Sequence, residues 1–176
     1  ILVGVCGSIA AYKSAVLIRL LKKEEAEVKV IMTNCALDFI TPLTLSTLSK
    51  NPVYKDFQAN GSGEWNSHVD LGLWADLFII APASANTISR IAHGRADDLL
   101  ATTVLASTAS LVLAPAMNLQ MWSNQATLDN IKNLESRGIS ILGPDSGEQA
   151  CGEQGAGRMI EPEAIADHVE SLIPSV

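Results

Sequence analysis

Basic residues, aromatics, cysteines and long apolar runs are all scarce in this chain. Lys and Arg number 12 against 19 Asp and Glu, a formal net charge of −7 over 176 residues. No basic stripe is available to neutralise a phosphate backbone, which argues against a nucleic-acid partner. A single phosphate held by backbone amides and one or two cations stays open. No apolar run approaches the length that spans a bilayer and no signal peptide is visible, so no membrane partner is expected. The three cysteines show no pairing pattern, which suggests a reducing compartment and hence the cytoplasm. No His/Cys set has zinc spacing, so no metal is expected, and no G-x-S-x-G elbow is present. With aromatics at 5%, Ala, Leu and Ile supply the apolar bulk, which suits helices packed on a sheet. Hydrophobic residues at 48% and charged residues at 18% describe a globular chain, long enough for one domain with a substantial core. Ile1 already lies in the first predicted strand, so a few native residues are expected before it.

What the chain does have is an alternation of short apolar runs with helical patterns. Ile1–Gly7, Val28–Met32, Phe78–Ala81, Leu111–Ala114 and Ile139–Leu142 read as strands, with Pro82 ending the third. Helices are predicted over Ala10–Glu24, just after Pro42, over Ser67–Ala75, from about Ile88, over about 97–106, over Met121–Ser136 with Gly138 as cap, and over Glu163–Ile173. Asn51–Asn66, polar and carrying Gly61 and Gly63, reads as a mobile loop, and Gly143–Met159 as a Gly-rich one. There is no internal repeat. The alternation implies an α/β domain: a parallel sheet covered on both faces, with right-handed crossovers. Ligands of such sheets bind beyond the carboxyl ends of the strands. Those ends carry Gly7-Ser8, Thr33-Asn34, Pro82–Thr87, Pro115–Asn118 and the loop after Leu142, all small, polar or Gly-rich.

The turn after the first strand, in Val3-Gly4-Val5-Cys6-Gly7-Ser8-Ile9, has the position of a phosphate cradle but not the G-x-G-x-x-G spacing. Strand two ends in Thr33-Asn34, where a NAD enzyme usually places an acidic residue for the ribose. A mononucleotide such as FMN therefore suits the turn better than NAD, the alternative being a tight turn that binds nothing. Pro82–Thr87 is either a ligand-approach site with free N–H groups or an ordinary connection capped by Ser84 or Asn86. Ser67 with Asp70 makes a capping box that places His68 in the first helical turn. The helix dipole disfavours imidazolium there, leaving a neutral base between a mobile loop and a strand. His93 and His168 read as surface or packing residues. Cys6 reads as a small buried hydrophobe and Cys35 has no partner suggesting a metal site. Cys151 stands in a run with Gly152, Gly155, Gly157 and Arg158, and is a candidate acid or nucleophile on a flexible loop. The other reading is a surface loop with an incidental thiol.

Taken in order, Gly7-Ser8-Ile9-Ala10-Ala11-Tyr12-Lys13, His68, Pro82–Thr87, Pro115-Ala116-Met117-Asn118 with Met121-Trp122, and Gly143–Met159 resemble the flavin-dependent cysteine decarboxylases. Within them the likeness is to the branch acting on phosphopantothenoylcysteine in coenzyme A biosynthesis, and it covers nearly the whole chain. The resemblance implies a Rossmann-like or flavodoxin-like three-layer sandwich, assembled as a homotrimer or a dodecamer with FMN between subunits. It implies FMN contacts from Gly7, Ser8, Ile9, Thr33, Ser84, Ala85, Asn86, Thr87 and Ala116. It makes His68 the catalytic base, Asn118 the holder of the substrate carboxylate, and Cys151 the acid that returns a proton. Met117, Ala150, Gly152 and Arg158 join Asn118 and Cys151 around the substrate. The implied chemistry oxidises the thiol carbon to a thioaldehyde, releases CO2 to give an enethiol, and reduces that to phosphopantetheine. The implied chain, residues 1–176, is either a free enzyme or the N-terminal part of one fused to phosphopantothenate–cysteine ligase.

Four rival readings remain. A peptidyl-cysteine decarboxylase stops at the enethiol, and Cys151 with its Gly-rich clamp argues against it. A flavin prenyltransferase shares fold and cofactor but is expected to lack the pairing of His68 with Asn118. Phosphatase-inhibiting relatives usually carry long acidic tails, which this sequence does not show. A NAD oxidoreductase is disfavoured by the first turn and by the end of strand two.

Overall fold

The computed structural model describes residues 1–59 and 63–172. Gly61 of the predicted loop and Ile173 of the predicted last helix lie outside them. The described strands are β1 (Leu2–Val5), β2 (Lys29–Met32), β3 (Val53–Tyr54), β4 (Leu77–Ala83), β5 (Ser110–Pro115), β6 (Ser140–Ile141), β7 (Asp145–Glu148) and β8 (Gln154–Arg158). The helices are α1 (Ala11–Lys23), α2 (Pro42–Ser49), α3 (His68–Trp74), α4 (Ala85–Ala92), α5 (Leu99–Ala106), α6 (Leu119–Ser123), α7 (Gln125–Ser136) and α8 (Pro162–Leu172).

Six strands form one parallel sheet in the order β3-β2-β1-β4-β5-β6. That is the Rossmann order; leaving out the two-residue β3 gives the flavodoxin-like order of the remaining five strands. The period-two pleat sorts the strand side chains between two cores. Val3, Val5, Ile79, Ala81 and Val112 face one side, against Leu17 and Ile18 of α1 and Ile165 and Val169 of α8. Leu2, Phe78, Ile80 and Leu113 face the other, against Ile88 of α4, Leu99 and Leu100 of α5, and Ile131 and Leu134 of α7. Burial on both faces explains why these strands read as continuous apolar runs.

The structure corrects the sequence reading in four places. Strand β4 does not stop at Pro82: it continues to Ala83 across an irregularity between Ile80 and Ala83. Proline needs no N–H at a bulge, and its carbonyl still accepts from Cys6 N at 3.3 Å. The Gly143–Met159 loop is an antiparallel hairpin of β7 and β8. The stretch 51–66 contains β3 and a bridge between Gln58 and Trp65. The helix predicted over Met121–Ser136 is two helices broken at Asn124, whose side chain accepts from Ala126 N and caps the second.

Candidate functional site

The first turn is shaped by a close approach. A Cβ on Gly7 would sit 2.7 Å from Cys35 Cβ and 2.8 Å from the Cys35 carbonyl oxygen, so the chain passes there only as glycine. Ser8 Oγ accepts from Ala10 N at 3.2 Å, and the turn runs into α1, whose first turn carries no acidic residue.

Beyond the ends of β1 and β5 lies a cavity of about 650 Å³. It brings Ser8 and Ile9 together with Ala116, Met117 and Asn118, and with Ala150, Cys151 and Arg158 across from them. Asn118 is the N-cap of α6: its Oδ1 accepts from Gln120 N at 2.8 Å, which fixes the amide orientation and turns Nδ2 toward the hairpin. Nδ2 donates to Glu153 Oε2 at 2.7 Å and lies 3.6 Å from Cys151 Sγ. Cys151 is exposed, with its thiol 3.7 Å from Glu153 Oε2 and 3.8 Å from Gln149 Oε1.

Gln149 and Lys13, neither of which the sequence reading assigned to the site, hold these walls in place. Gln149 Oε1 accepts from Leu119 N at 3.1 Å while its Nε2 donates to Ala156 O at 3.2 Å, joining hairpin to helix. Met117 N donates to Gly157 O at 3.0 Å in the same seam. Lys13, only 6% exposed, donates from Nζ to Met159 O at 2.9 Å and to Glu161 Oε1 at 2.7 Å. Burial of a lysine at an apolar helical spacing was the one available signal, since such a group demands a partner. Nothing local to Gln149 distinguishes it.

Other predicted residues lie apart from this cavity. Thr33 borders a second, smaller cavity of about 130 Å³, where its Oγ1 is buried without a partner. Ser84 caps α4 by accepting from Thr87 N at 3.3 Å. Thr87 Oγ1 is taken up within the fold, accepting from Cys6 Sγ at 3.2 Å and from Ser84 Oγ at 3.3 Å. As the first N–H groups of α4, those of Ala85 and Asn86 have no intrahelical acceptor. Gly152 is at the hairpin tip, outside the cavity lining. His68 opens α3 behind the Ser67 cap and lines neither cavity. Its Nδ1 is buried without a partner, and Phe57 and Trp65 meet the ring edge-on at 6.1 and 5.7 Å. Burial pushes the Cys6 thiol up from its ordinary value, the Thr87 contact offsetting part of this.

A family profile described as "Flavoprotein" matches residues 1–174. The chain belongs to this flavoprotein family. It is 51% identical over 165 residues to the coenzyme A biosynthesis bifunctional protein CoaBC of Haemophilus influenzae, covering 94% of this chain and 41% of that protein. The chain thus spans about two-fifths of the length of these curated CoaBC relatives. A PPC decarboxylase variant with one cysteine replaced by serine, solved with pantothenoylaminoethenethiol, superposes with a TM-score of 0.85 at 35% identity. That alignment covers 97% of this chain and 96% of the other. The FMN-dependent cysteine decarboxylase SpaF follows at a TM-score of 0.81 and 32% identity, over 97% and 94% of the two chains. The family drawn from the motifs and the α/β fold are both borne out. Among the described residues no helix is long and apolar enough to cross a membrane, and no cluster of metal ligands occurs.

Proposed function

We propose that this chain is an FMN-dependent decarboxylase that converts phosphopantothenoylcysteine to phosphopantetheine in coenzyme A biosynthesis. The observation that carries the reading is the meeting of Asn118 Nδ2 with Cys151 Sγ, 3.6 Å apart, on a cavity at the carboxyl ends of the strands. This proximity supports the reading of Asn118 as a carboxylate binder and Cys151 as a proton source.

The residues present fit FMN. Gly7, Ser8 and Ile9 form a helix-entry turn suited to its phosphate, with the free N–H groups of Ala85 and Asn86 nearby in the topology. Thr33 Oγ1, buried and unpartnered, offers a hydroxyl to a bound ligand. Ala116 supplies a small wall of the cavity that Ser8 and Ile9 also line. When bound, FMN supplies a two-electron acceptor for the thiol carbon and returns the electrons at the end of the cycle.

Asn118 Nδ2 holds the departing carboxylate in line, and Arg158 attracts the anionic end of the substrate. The bond to the carboxylate breaks, CO2 leaves, and Cys151 delivers the proton that the enethiol needs to become phosphopantetheine. His68 serves as base in the oxidative step. Because it lines neither of the two cavities described, it favours a site completed by a neighbouring copy, in a homotrimer or a dodecamer built from trimers. The free cysteines suit a cytoplasmic enzyme. The match to CoaBC proteins supports fusion to the ligase that makes the substrate.

The test is mass spectrometry of phosphopantothenoylcysteine after incubation with purified protein, with the flavin spectrum recorded alongside. Loss of CO2 alone, with the flavin oxidised at the end, is expected. Loss of CO2 plus two hydrogens would instead identify an enzyme that stops at the enethiol, and unchanged substrate would sink the proposal.

A further inference from the structure

Glu153 has no part in the reaction described above, yet its carboxylate takes the hydrogen bond that Asn118 would give to a substrate. Asn118 Oδ1 accepts from Gln120 N, which leaves the side chain the two N–H bonds of Nδ2, one of which faces Cys151 Sγ at 3.6 Å while the other is taken by Glu153. That second N–H points at Glu153 Oε2 from 2.7 Å. Glu153 is held there by its own backbone, its carbonyl accepting from Gln149 N at 2.8 Å across the hairpin tip. Its carboxylate also faces the Cys151 thiol at 3.7 Å, so it touches both the carboxylate binder and the proton source.

We infer that Glu153 is a specificity-determining residue: an internal carboxylate that stands in for the substrate's own on Asn118 and is displaced by it. The inference rests on the substrate reading given above. Two carboxylates next to one amide repel each other, so an arriving substrate must move Glu153 off Asn118 Nδ2. A ligand with a carboxylate compensates the lost contact with an equivalent charge-assisted bond. A ligand without one leaves Asn118 to Glu153, as the decarboxylated product does. The side chain thereby lowers affinity for the carboxylate ligand and leaves the product nearly unaffected.

Two oxygen analogues, phosphopantothenoylserine and its decarboxylated counterpart phosphopantothenoylethanolamine, test this without turnover at sulfur. Calorimetric titration of the FMN-loaded protein should show Glu153→Gln binding the serine analogue several-fold more tightly than the natural chain. The ethanolamine analogue should change by less than twofold. Glu153→Ala should act in the same direction, which separates loss of charge from the new amide of glutamine. Equal changes for both analogues, or weaker binding of the serine analogue to both variants, would overturn the role of Glu153 while leaving the substrate reading standing. Failure of either analogue to bind the natural chain would overturn the substrate reading and this inference with it.

Discussion

Cys6 and Cys151 carry the same functional group into opposite surroundings. Cys6 is fully buried under β4 and α4 and gives its S–H to Thr87, whereas Cys151 is exposed at a hairpin tip. A thiol reacts through its thiolate, and burial raises the pH at which Cys6 would form one. Iodoacetamide at neutral pH should therefore label Cys35 and Cys151 while Cys6 stays unmodified until the chain unfolds, as peptide mass mapping can check. With the folded value above the unfolded one, Cys6 contributes stability in full below the ordinary thiol range and loses it as the pH climbs through and beyond that range. Denaturation midpoints should accordingly fall on the alkaline side, and Cys6→Ala should flatten that fall. At Cys151 the expectation is catalytic. Cys151→Ser should still release CO2 but accumulate the enethiol, detectable by its mass, and normal product at the normal rate would remove Cys151 from the proton step.

At the scale of elements, the hairpin of β7 and β8 is decisive for the site. Its seam with Met117 passes through Gly157, at φ +148°, where a Cβ would run into Met117 O. Gly157→Ala should push β8 away from that carbonyl, at a cost of about 1–3 kcal/mol, felt as roughly ten- to hundredfold in kcat/KM. The sheet is untouched by this change, so the far-ultraviolet circular dichroism should stay as it is. The hairpin was hidden in the sequence for a physical reason. Gln154-Gly155-Ala156-Gly157-Arg158 has no apolar alternation, because β8 is held by one partner strand and by contacts to Met117 rather than by burying a face. The buried strands β1, β4 and β5 were legible because two covered faces demand unbroken apolar runs. Asn118 and Cys151 could be named from their motifs, but their meeting depends on Gln149, Lys13 and Glu153, which act through contacts across distant segments. Thr87 shows the converse: it stands in a ligand-like motif, yet its hydroxyl is used inside the fold.

For the whole molecule, two cores share one sheet, and Phe78 is the largest fully buried side chain in it. Phe78→Ala should lower stability by about 3–5 kcal/mol in denaturant titrations. The outside of the same molecule is uneven. Ile9, Tyr12 and Val16 stand exposed at 66, 60 and 40% in the turn into α1 and along the helix, the first two also lining the large cavity. A copy seated there would cover apolar surface and border the site at once. Native mass spectrometry should find multiples of three chains, and Tyr12→Glu with Val16→Glu should shift the population toward monomer while the FMN-binding spectrum weakens in parallel.

The bond from Lys13 to the Met159 carbonyl spans 146 positions of sequence. On a ribosome, α1 leaves the exit tunnel long before its partner is translated, so one wall of the pocket waits for the other through most of this domain's synthesis. A nascent chain that has already paired β1, β2 and β4 owns a sheet but only half a pocket. Nothing can be gripped from both sides until Met159 and Glu161 have emerged, which makes the pocket a late product of this domain's synthesis rather than of early collapse.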